Sequence, residues 1–324
     1  MAVVFVAISG GVDSSVAAAL LKEAGFDVVG VHIVCWDGCE LGEERRDALR
    51  VAWRLDIPFL TFDFRAEYKR LVFDYMLREY AEGRTPNPDV VCNREIKFGL
   101  FLEKALEMGA DYIATGHYAR LRSTGHVQEL LEGVDKNKDQ SYFLCSLNHR
   151  QLEHCLFPLG TYTKAQVREM ARGMKLPPAE KKDSQGLCFV GKVNFSDFLR
   201  DLLPRDEGRI VTSEGTVVGK HDGIAFYTIG QRHGLGIGGG APYYVAEKDA
   251  LKNILVVGRG PDDPILYKEE ICVGDLNWLS NFEEGPCEVR IRYRQPKVSA
   301  LTRREGDRLR VRFDIPQRGV APEQ

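Results

Sequence analysis

The chain has 324 residues, 44% hydrophobic and 28% charged, with 44 Lys and Arg against 47 Asp and Glu, a formal net charge of -3. This length holds two or three domains of ordinary size, and the balanced charge excludes a protein that grips nucleic acid by bulk positive potential, so any RNA contact must come from local patches. No apolar run approaches the ~18–20 residues of a membrane span, and eight cysteines spread over this length do not make a secreted disulfide framework, so a cytoplasmic protein with no membrane attachment is expected.

Residues 3–9, 28–34, 59–64 and 111–115 are rich in β-branched side chains and end at Gly or Asp, which predicts buried strands. Residues 14–23, 43–55, 68–82 and 96–108 carry apolar side chains at three- and four-residue intervals, which predicts helices. The βαβα series implies an α/β doubly wound parallel sheet, and such sheets bind ligands outside the carboxyl ends of their strands. The loops after Ser9, Val34, Phe64 and Thr115 are therefore expected to face one crevice. Beyond about residue 205, short alternating segments (209–211, 243–245, 254–257, 287–293 and 308–313) are separated by Gly, Pro and Asp, the pattern of small antiparallel sheets or barrels. The expected division is an α/β domain over 1–203, a small β-rich central domain over 204–263 and a C-terminal β-barrel-like domain over 264–324.

Ser9-Gly10-Gly11-Val12-Asp13-Ser14-Ser15 falls where the first strand ends and the first helix begins. Two glycines let the backbone turn tightly with its N–H groups outward, Asp13 and the serines are placed to cap the helix, and the helix dipole adds positive potential. The result is an anion nest. No lysine follows the glycines, so this is not the G-x-x-x-x-G-K-[ST] loop, and the pattern suits a grip on a departing pyrophosphate. S-G-G-x-D-S-S resembles the fingerprint of the PP-loop ATP pyrophosphatases, which split ATP between its α and β phosphates to adenylate a substrate. At that level GMP, asparagine and argininosuccinate synthetases and several tRNA-modifying enzymes all remain open.

Cys92 follows two prolines in Thr85-Pro86-Asn87-Pro88-Asp89-Val90-Val91-Cys92-Asn93, which predicts a stiff extended loop ahead of a helix at Ile96, a place that lowers a thiol pKa. Cys188 lies in the polar segment Asp183-Ser184-Gln185-Gly186-Leu187-Cys188-Phe189, also read as a loop. Either cysteine alone reads equally well as a small core residue. Together with a nucleotide loop they allow a sulfur transfer: a persulfide on one attacks an adenylated carbonyl carbon, and the other attacks the persulfide, leaving one sulfur on the substrate and a disulfide on the protein.

The nucleotide loop, residues 83–98 (GRTPNPDVVCNREIKF), 111–120 (DYIATGHYAR), 135–144 (DKNKDQSYFL), 157–160, 183–189, 227–236 (YTIGQRHGLG), 292–294 and 314–317 together resemble the tRNA-specific 2-thiouridylase family of that superfamily, over essentially the whole chain. The resemblance implies an ATP-dependent sulfurtransferase, working with magnesium, that makes 2-thiouridine at the wobble position of the tRNAs for Lys, Glu and Gln. It implies ATP binding by Ala7, Ile8, Ser9, Gly10, Gly11, Val12, Asp13, Ser14, Ile33 and Gly116, and a target base met by Asn87, Pro88 and Asp89. His117, Lys138, Asp139, Gln140, Arg292, Tyr293 and Gln324 are implied as tRNA contacts, Cys188 as the persulfide cysteine and Cys92 as its resolving partner. Asp at position 89, where some relatives have a third Cys, implies a persulfide relay and no iron–sulfur cluster; a sulfur relay protein or cysteine desulfurase is the implied partner that loads Cys188.

By residue chemistry alone, Asp89 is either a turn former or a group that receives the uracil N3 proton, and Lys138-Asp139-Gln140 reads as a solvated loop. His117 reads either as a satisfied structural histidine or as a contact at the crevice mouth. Cys35 and Cys39 form a lone C-x3-C without a second ligand pair, so no metal site is expected, and Cys145, Cys155, Cys272 and Cys287 read as packing residues. Residues 290–318 hold ten basic side chains against three acids, with alternating arginines expected to share one strand face toward phosphates. The family continues past A-P-G-Q, whereas this chain reads Ala321-Pro322-Glu323-Gln324, which implies an incomplete C-terminal barrel.

Overall fold

Along the first strand Val3, Phe5 and Ala7 pack to one side and Val4 and Val6 to the other, as pleating with a period of two requires. In the computed structural model, which describes residues 1–37, 41–124, 127–182, 195–238 and 240–322, this strand is the centre of a parallel sheet. The elements follow in the order β1 (Val3–Ala7), α1 (Val12–Glu23), β2 (Asp27–Val34), α2 (Leu41–Leu55), β3 (Phe59–Asp63), α3 (Arg65–Tyr68), a π turn (Lys69–Phe73) and α4 (Asp74–Ala81). Next come α5 (Pro88–Cys92), a second π segment (Asn93–Leu100), α6 (Phe101–Glu107), β4 (Tyr112–Ala114), the hairpin strands β5 (Ala119–Thr124) and β6 (Val127–Glu132), α7 (His149–Glu153), β7 (Cys155–Leu156) and α8 (Lys164–Gly173). The sheet order is β3-β2-β1-β4-β7, every pair parallel, as the βαβα series predicts.

The chain divides into two units, one of Met1–Phe73, Pro88–Lys192 and Asn277–Asn281, the other of Asp74–Asn87, Val193–Leu276 and Phe282–Gln324. In the first unit, one sheet face buries Phe5, Val31 and Ile113 under Phe98, Phe101 and Leu102, while the other buries Val4, Val6, Ile8 and Val28 under Ala18, Leu21, Ala48 and Val51 of α1 and α2. A further layer sets Val12, Val16 and Ala19 against Val167 and Ala171, so α8 lies on α1. Each Val, Leu, Ile or Phe side chain among these is worth roughly 1.5–3 kcal/mol when taken from water, which holds the strand ends and helix starts in fixed register.

Two predicted helices differ from expectation. The run at 68–82 is broken by the π turn, and the run at 96–108 begins earlier, at Pro88. Proline is tolerated at the first helical position because its missing N–H would have no partner there, so Pro88 starts a helix, while Pro86 stays in the non-helical stretch before it.

In the second unit, α4 is joined by α9 (Phe195–Leu202) and two sheets. The strands β8 (Gly208–Thr212), β9 (Val217–His221), β10 (Tyr243–Asp249) and β11 (Ile254–Arg259) pair in the order β10-β11-β8-β9, with β8 and β11 parallel where only antiparallel pairing was expected. The strands β12 (Tyr267–Val273), β13 (Gly285–Val289), β14 (Val298–Glu305) and β15 (Arg308–Arg318) pair antiparallel in the order β12-β15-β14-β13 over Ala300, Val311 and Phe313. The strand expected over 287–293 ends at Val289. Arg294 takes a φ of 63°, and the Gln295 N–H donates to the Arg292 carbonyl at 3.2 Å, a turn that interrupts the alternation.

Candidate active site

The strand order β3-β2-β1-β4-β7 changes sense between β1 and β4, the switch point beside which parallel sheets of this kind bind ligands, and the loops that follow these two strands come together there. Residues 9–15 form the first of those loops. Gly10 takes a φ of 77°, and a Cβ there would lie 2.6 Å from the Glu44 carbonyl oxygen, so the position admits only glycine. Gly11 is the N-cap of α1 and no side chain caps the helix. The capping expected of Asp13 and the serines is therefore corrected: the Ser15 hydroxyl donates to the Gly11 carbonyl at 2.6 Å, and the Ser14 hydroxyl accepts from the Ser9 N–H at 3.2 Å. The first N–H groups of α1 are left for an anion.

The second loop supplies Gly116. A Cβ on it would lie 2.8 Å from the Ser14 nitrogen and 2.9 Å from the Asp13 carbonyl carbon, so it is seated directly on the first turn of α1. Ala7, Ile8, Ser9, Gly10, Gly11, Val12, Asp13, Ser14 and Gly116 thus converge at one end of the sheet, and Ile33 lies beside them in β2, whose Val31 carbonyl accepts from the Ile8 N–H at 2.7 Å.

Sequence reasoning missed two cations. Lys164, the first residue of α8, places Nζ 2.7 and 2.8 Å from the two carboxylate oxygens of Asp13, and the Tyr118 hydroxyl donates to the same group at 2.8 Å. Lys181 donates to Asp47 at 2.8 Å and reaches the Gly10 carbonyl at 3.4 Å. Asp47 also accepts from Arg50 at 3.1 Å; although its burial opposes the effect, the bonds to Lys181 and Arg50 hold its carboxyl below the usual range. Both lysines lie more than a hundred residues from their partners, and no spacing rule announces them.

Cys92 closes α5 in helical backbone and is 3% exposed. The expectation that it stands in a loop ahead of a helix N-terminus is corrected: the helix has already begun, so the dipole argument for a lowered thiol pKa does not apply. What α5 provides is geometry, since Asp89 and Cys92, three residues apart, share one helical face. Pro88 is buried at the first position of α5. Asn93 donates from Nδ2 to the Phe143 carbonyl at 3.0 Å, tying the start of the π segment to the chain that follows Gln140. Cys188 and Cys39 lie outside the described residues, as does Gln324.

His117 is 8% exposed, bonded through Nδ1 to the Thr115 hydroxyl at 2.7 Å and set against the rings of Phe98 and Phe157. Burial, with the nearby Lys97 ammonium, pushes its pKa well below the ordinary value, so the ring is neutral. One loop therefore touches both halves of the site: Gly116 meets the nucleotide loop, and His117 meets the π segment that continues from Cys92.

Asp139 is 3% exposed, and its carboxylate accepts from the Gly133 N–H at 2.9 Å and the Ser141 hydroxyl at 3.1 Å. Gln140 accepts from the Tyr118 N–H at 3.0 Å. Both organise the loop that presents the half-buried Lys138. In the second unit, Arg292 donates to the carbonyls of Ile229 at 2.9 Å and Gly319 at 2.5 Å, and the Arg294 guanidinium lies 5.0 Å over the Tyr293 ring. Of the basic run, Arg303 on β14 and Arg308, Arg310 and Arg312 on β15 share the outer face of their sheet, opposite Val311 and Phe313. Among the described residues no three His, Cys, Asp or Glu groups gather as a metal site.

Residues 2–192 match the family description tRNA methyl transferase HUP domain, residues 196–259 tRNA methyl transferase PRC-barrel domain, and residues 268–324 Aminomethyltransferase beta-barrel domain. The chain is 47% identical over 333 residues to the tRNA-specific 2-thiouridylase MnmA of Bacillus subtilis, covering 99% of this chain and 90% of that protein. It is 48% identical over 334 residues to the protein of the same name from Bacillus velezensis (99% and 90% covered) and 46% over 333 residues to that of Shouchella clausii (99% and 91%). With identity near one half sustained from end to end, over a parallel sheet that carries an open nucleotide loop at its switch point, the chain belongs to the tRNA-specific 2-thiouridylase family.

Proposed function

We propose that this protein is an ATP-dependent tRNA sulfurtransferase that replaces O2 of the wobble uridine in the tRNAs for Lys, Glu and Gln by sulfur. The observation that carries the reading is the loop at 115–118, which joins an uncapped phosphate nest to the segment bearing Cys92. MgATP enters as substrate, with the phosphates on the α1 N-terminus and the adenosine beside Ile33 and Gly116. Uracil O2 attacks the α phosphorus, the bond to the bridging oxygen breaks, and pyrophosphate leaves with that electron pair. Asp89 takes the N3 proton, with Asn87 and Pro88 placing the base.

The terminal sulfur of a Cys188 persulfide then attacks C2, and AMP departs. The Cys92 thiolate attacks Sγ of Cys188, breaking its bond to the transferred sulfur, so C2 keeps the sulfur and the protein keeps a Cys92–Cys188 disulfide. A two-electron reductant and a sulfur relay protein or cysteine desulfurase reset the pair, without an iron–sulfur cluster. Residues 1–203 serve as the catalytic domain, 204–263 as a central domain and 264–324 as a tRNA-contact domain; in the first, His117 and the loop at 138–140 meet tRNA, and in the last, Arg292, Tyr293 and Gln324 do. Flipping the wobble base out of its stack costs a few kcal/mol, which phosphate contacts offset.

The test is incubation with ATP, magnesium, a persulfide source and unmodified tRNA, followed by nucleoside mass spectrometry. Cys92→Ser and Cys188→Ser are each expected to abolish 2-thiouridine while tRNA binding is retained. Full activity of either variant removes the persulfide scheme, and absence of tRNA-dependent pyrophosphate release removes the adenylation step.

A further inference from the structure

The nucleotide loop lacks the lysine that phosphate loops commonly carry, yet a pyrophosphate leaving group gathers negative charge as its bond breaks. Two lysines stand at the loop, and their surroundings differ. Lys164 is held by both oxygens of Asp13 and its side chain is 14% exposed, so it is committed to neutralising that carboxylate. Lys181 is 37% exposed and donates to one oxygen of Asp47, while Arg50 occupies the other. Asp47 thus has two cations where one suffices. The Lys181 ammonium is also 3.4 Å from the carbonyl of Gly10, a residue of the nest itself.

We propose that Lys181 is a catalytic residue that turns from Asp47 to the β and γ phosphates of bound ATP and stabilises the pyrophosphate as it departs, a role that rests on the ATP-cleavage reading above. Arg50 keeps Asp47 neutralised when Lys181 turns away, so the exchange strands no carboxylate. No proton moves: the electron pair of the broken phosphorus–oxygen bond passes to the pyrophosphate, whose charge the ammonium meets. The cation missing from the loop's sequence is in this way supplied from the far end of the same unit, 171 residues from Gly10.

Calorimetric titration of the full chain with α,β-methylene-ATP and with AMP tests this, because only the first ligand carries the phosphates that Lys181 would meet. Lys181→Met is expected to weaken α,β-methylene-ATP on the order of tenfold or more and to leave AMP unchanged. Lys181→Arg is expected to restore most of the loss, and Asp47→Asn to retain or tighten analogue binding, since the ammonium loses its competitor. In turnover, Lys181→Met is expected to lower kcat for pyrophosphate release on the order of 100-fold with KM for tRNA unchanged. Equal weakening of both ligands, no weakening of either, or collapse of analogue binding in Asp47→Asn overturns the proposal. If the wild-type chain releases no pyrophosphate with tRNA, the sulfurtransferase reading fails, and the contrast between the two ligands still decides the part played by Lys181.

Discussion

A carboxylate inside an anion nest repels the phosphates the nest is built to hold, and Asp13 occupies that position. The bonds from Lys164 and Tyr118 remove the conflict, turning a charged side chain into a fixed brace for α1. His117 makes the complementary case, a titratable ring kept neutral by burial. Below an ordinary imidazole pKa of about 6.5 the unfolded chain binds a proton that the folded ring refuses, so stability rises with pH through that window and falls on acidification. His32 and His221 are lowered by burial in the same sense. Calorimetric melting is therefore expected to show Tm falling from pH 7 toward 5, with a shallower slope in His117→Gln, whose amide keeps a partner for Thr115 without titrating. An unchanged slope in that variant counts against a buried neutral ring.

The elements that shape the site are those in which backbone geometry overrides local preference. Pro88 starts α5, and the π segment after Cys92 widens the helix at a residue assigned chemistry, a place where such turns recur in proteins. Gly116 shows how close the loop after β4 comes to α1, since the atoms a Cβ would strike are backbone and have nowhere to go. Gly116→Ala is expected to weaken α,β-methylene-ATP binding on the order of tenfold. Gly173→Ala, in α8 with nothing within 4 Å of the added methyl, is expected to leave binding alone and stabilise the fold by about 0.5–1 kcal/mol. Titration calorimetry and urea unfolding of the two variants read both effects, and equal ligand affinity in both would mean that the close approach of this loop does not shape the nucleotide site.

At the scale of the whole molecule, the net charge of -3 leaves nucleic-acid contact to local groups, and the outer face of the β12-β15-β14-β13 sheet sets Arg303, Arg308, Arg310 and Arg312 among the carboxylates of Glu270, Glu288 and Glu305. Arg303 and Arg310 lie directly opposite across β14 and β15, an arrangement that costs stability without counter-ions, and Arg310 is tied to Glu305 at 2.7 Å and Glu270 at 2.6 Å. Arg303, Arg308 and Arg312 remain exposed on that face. Replacing these three by Ala is expected to leave folding intact and to lower the dependence of log K for tRNA on log salt by about 2–3, near one per phosphate lost. An unchanged salt slope would place the RNA elsewhere.

Sequence alone determined the parallel sheet, the nucleotide loop and its glycines, and the D-x-x-C segment, because strand pleating, helical periodicity and turn chemistry are settled by residues close together in the chain. It misread Pro88 as a helix breaker and carried the alternation of Arg290, Arg292 and Arg294 through a turn, since the first helical position and a positive φ at Arg294 do not show in periodicity. Only the tertiary structure decided that Lys164 serves Asp13 across 151 residues, that Lys181 stands between Asp47 and Gly10, and that Asp139 is spent inside its own loop. Such pairings depend on which strand ends the topology brings together, and the Coulomb attraction that selects them acts over a few ångströms of space, whatever the separation along the chain.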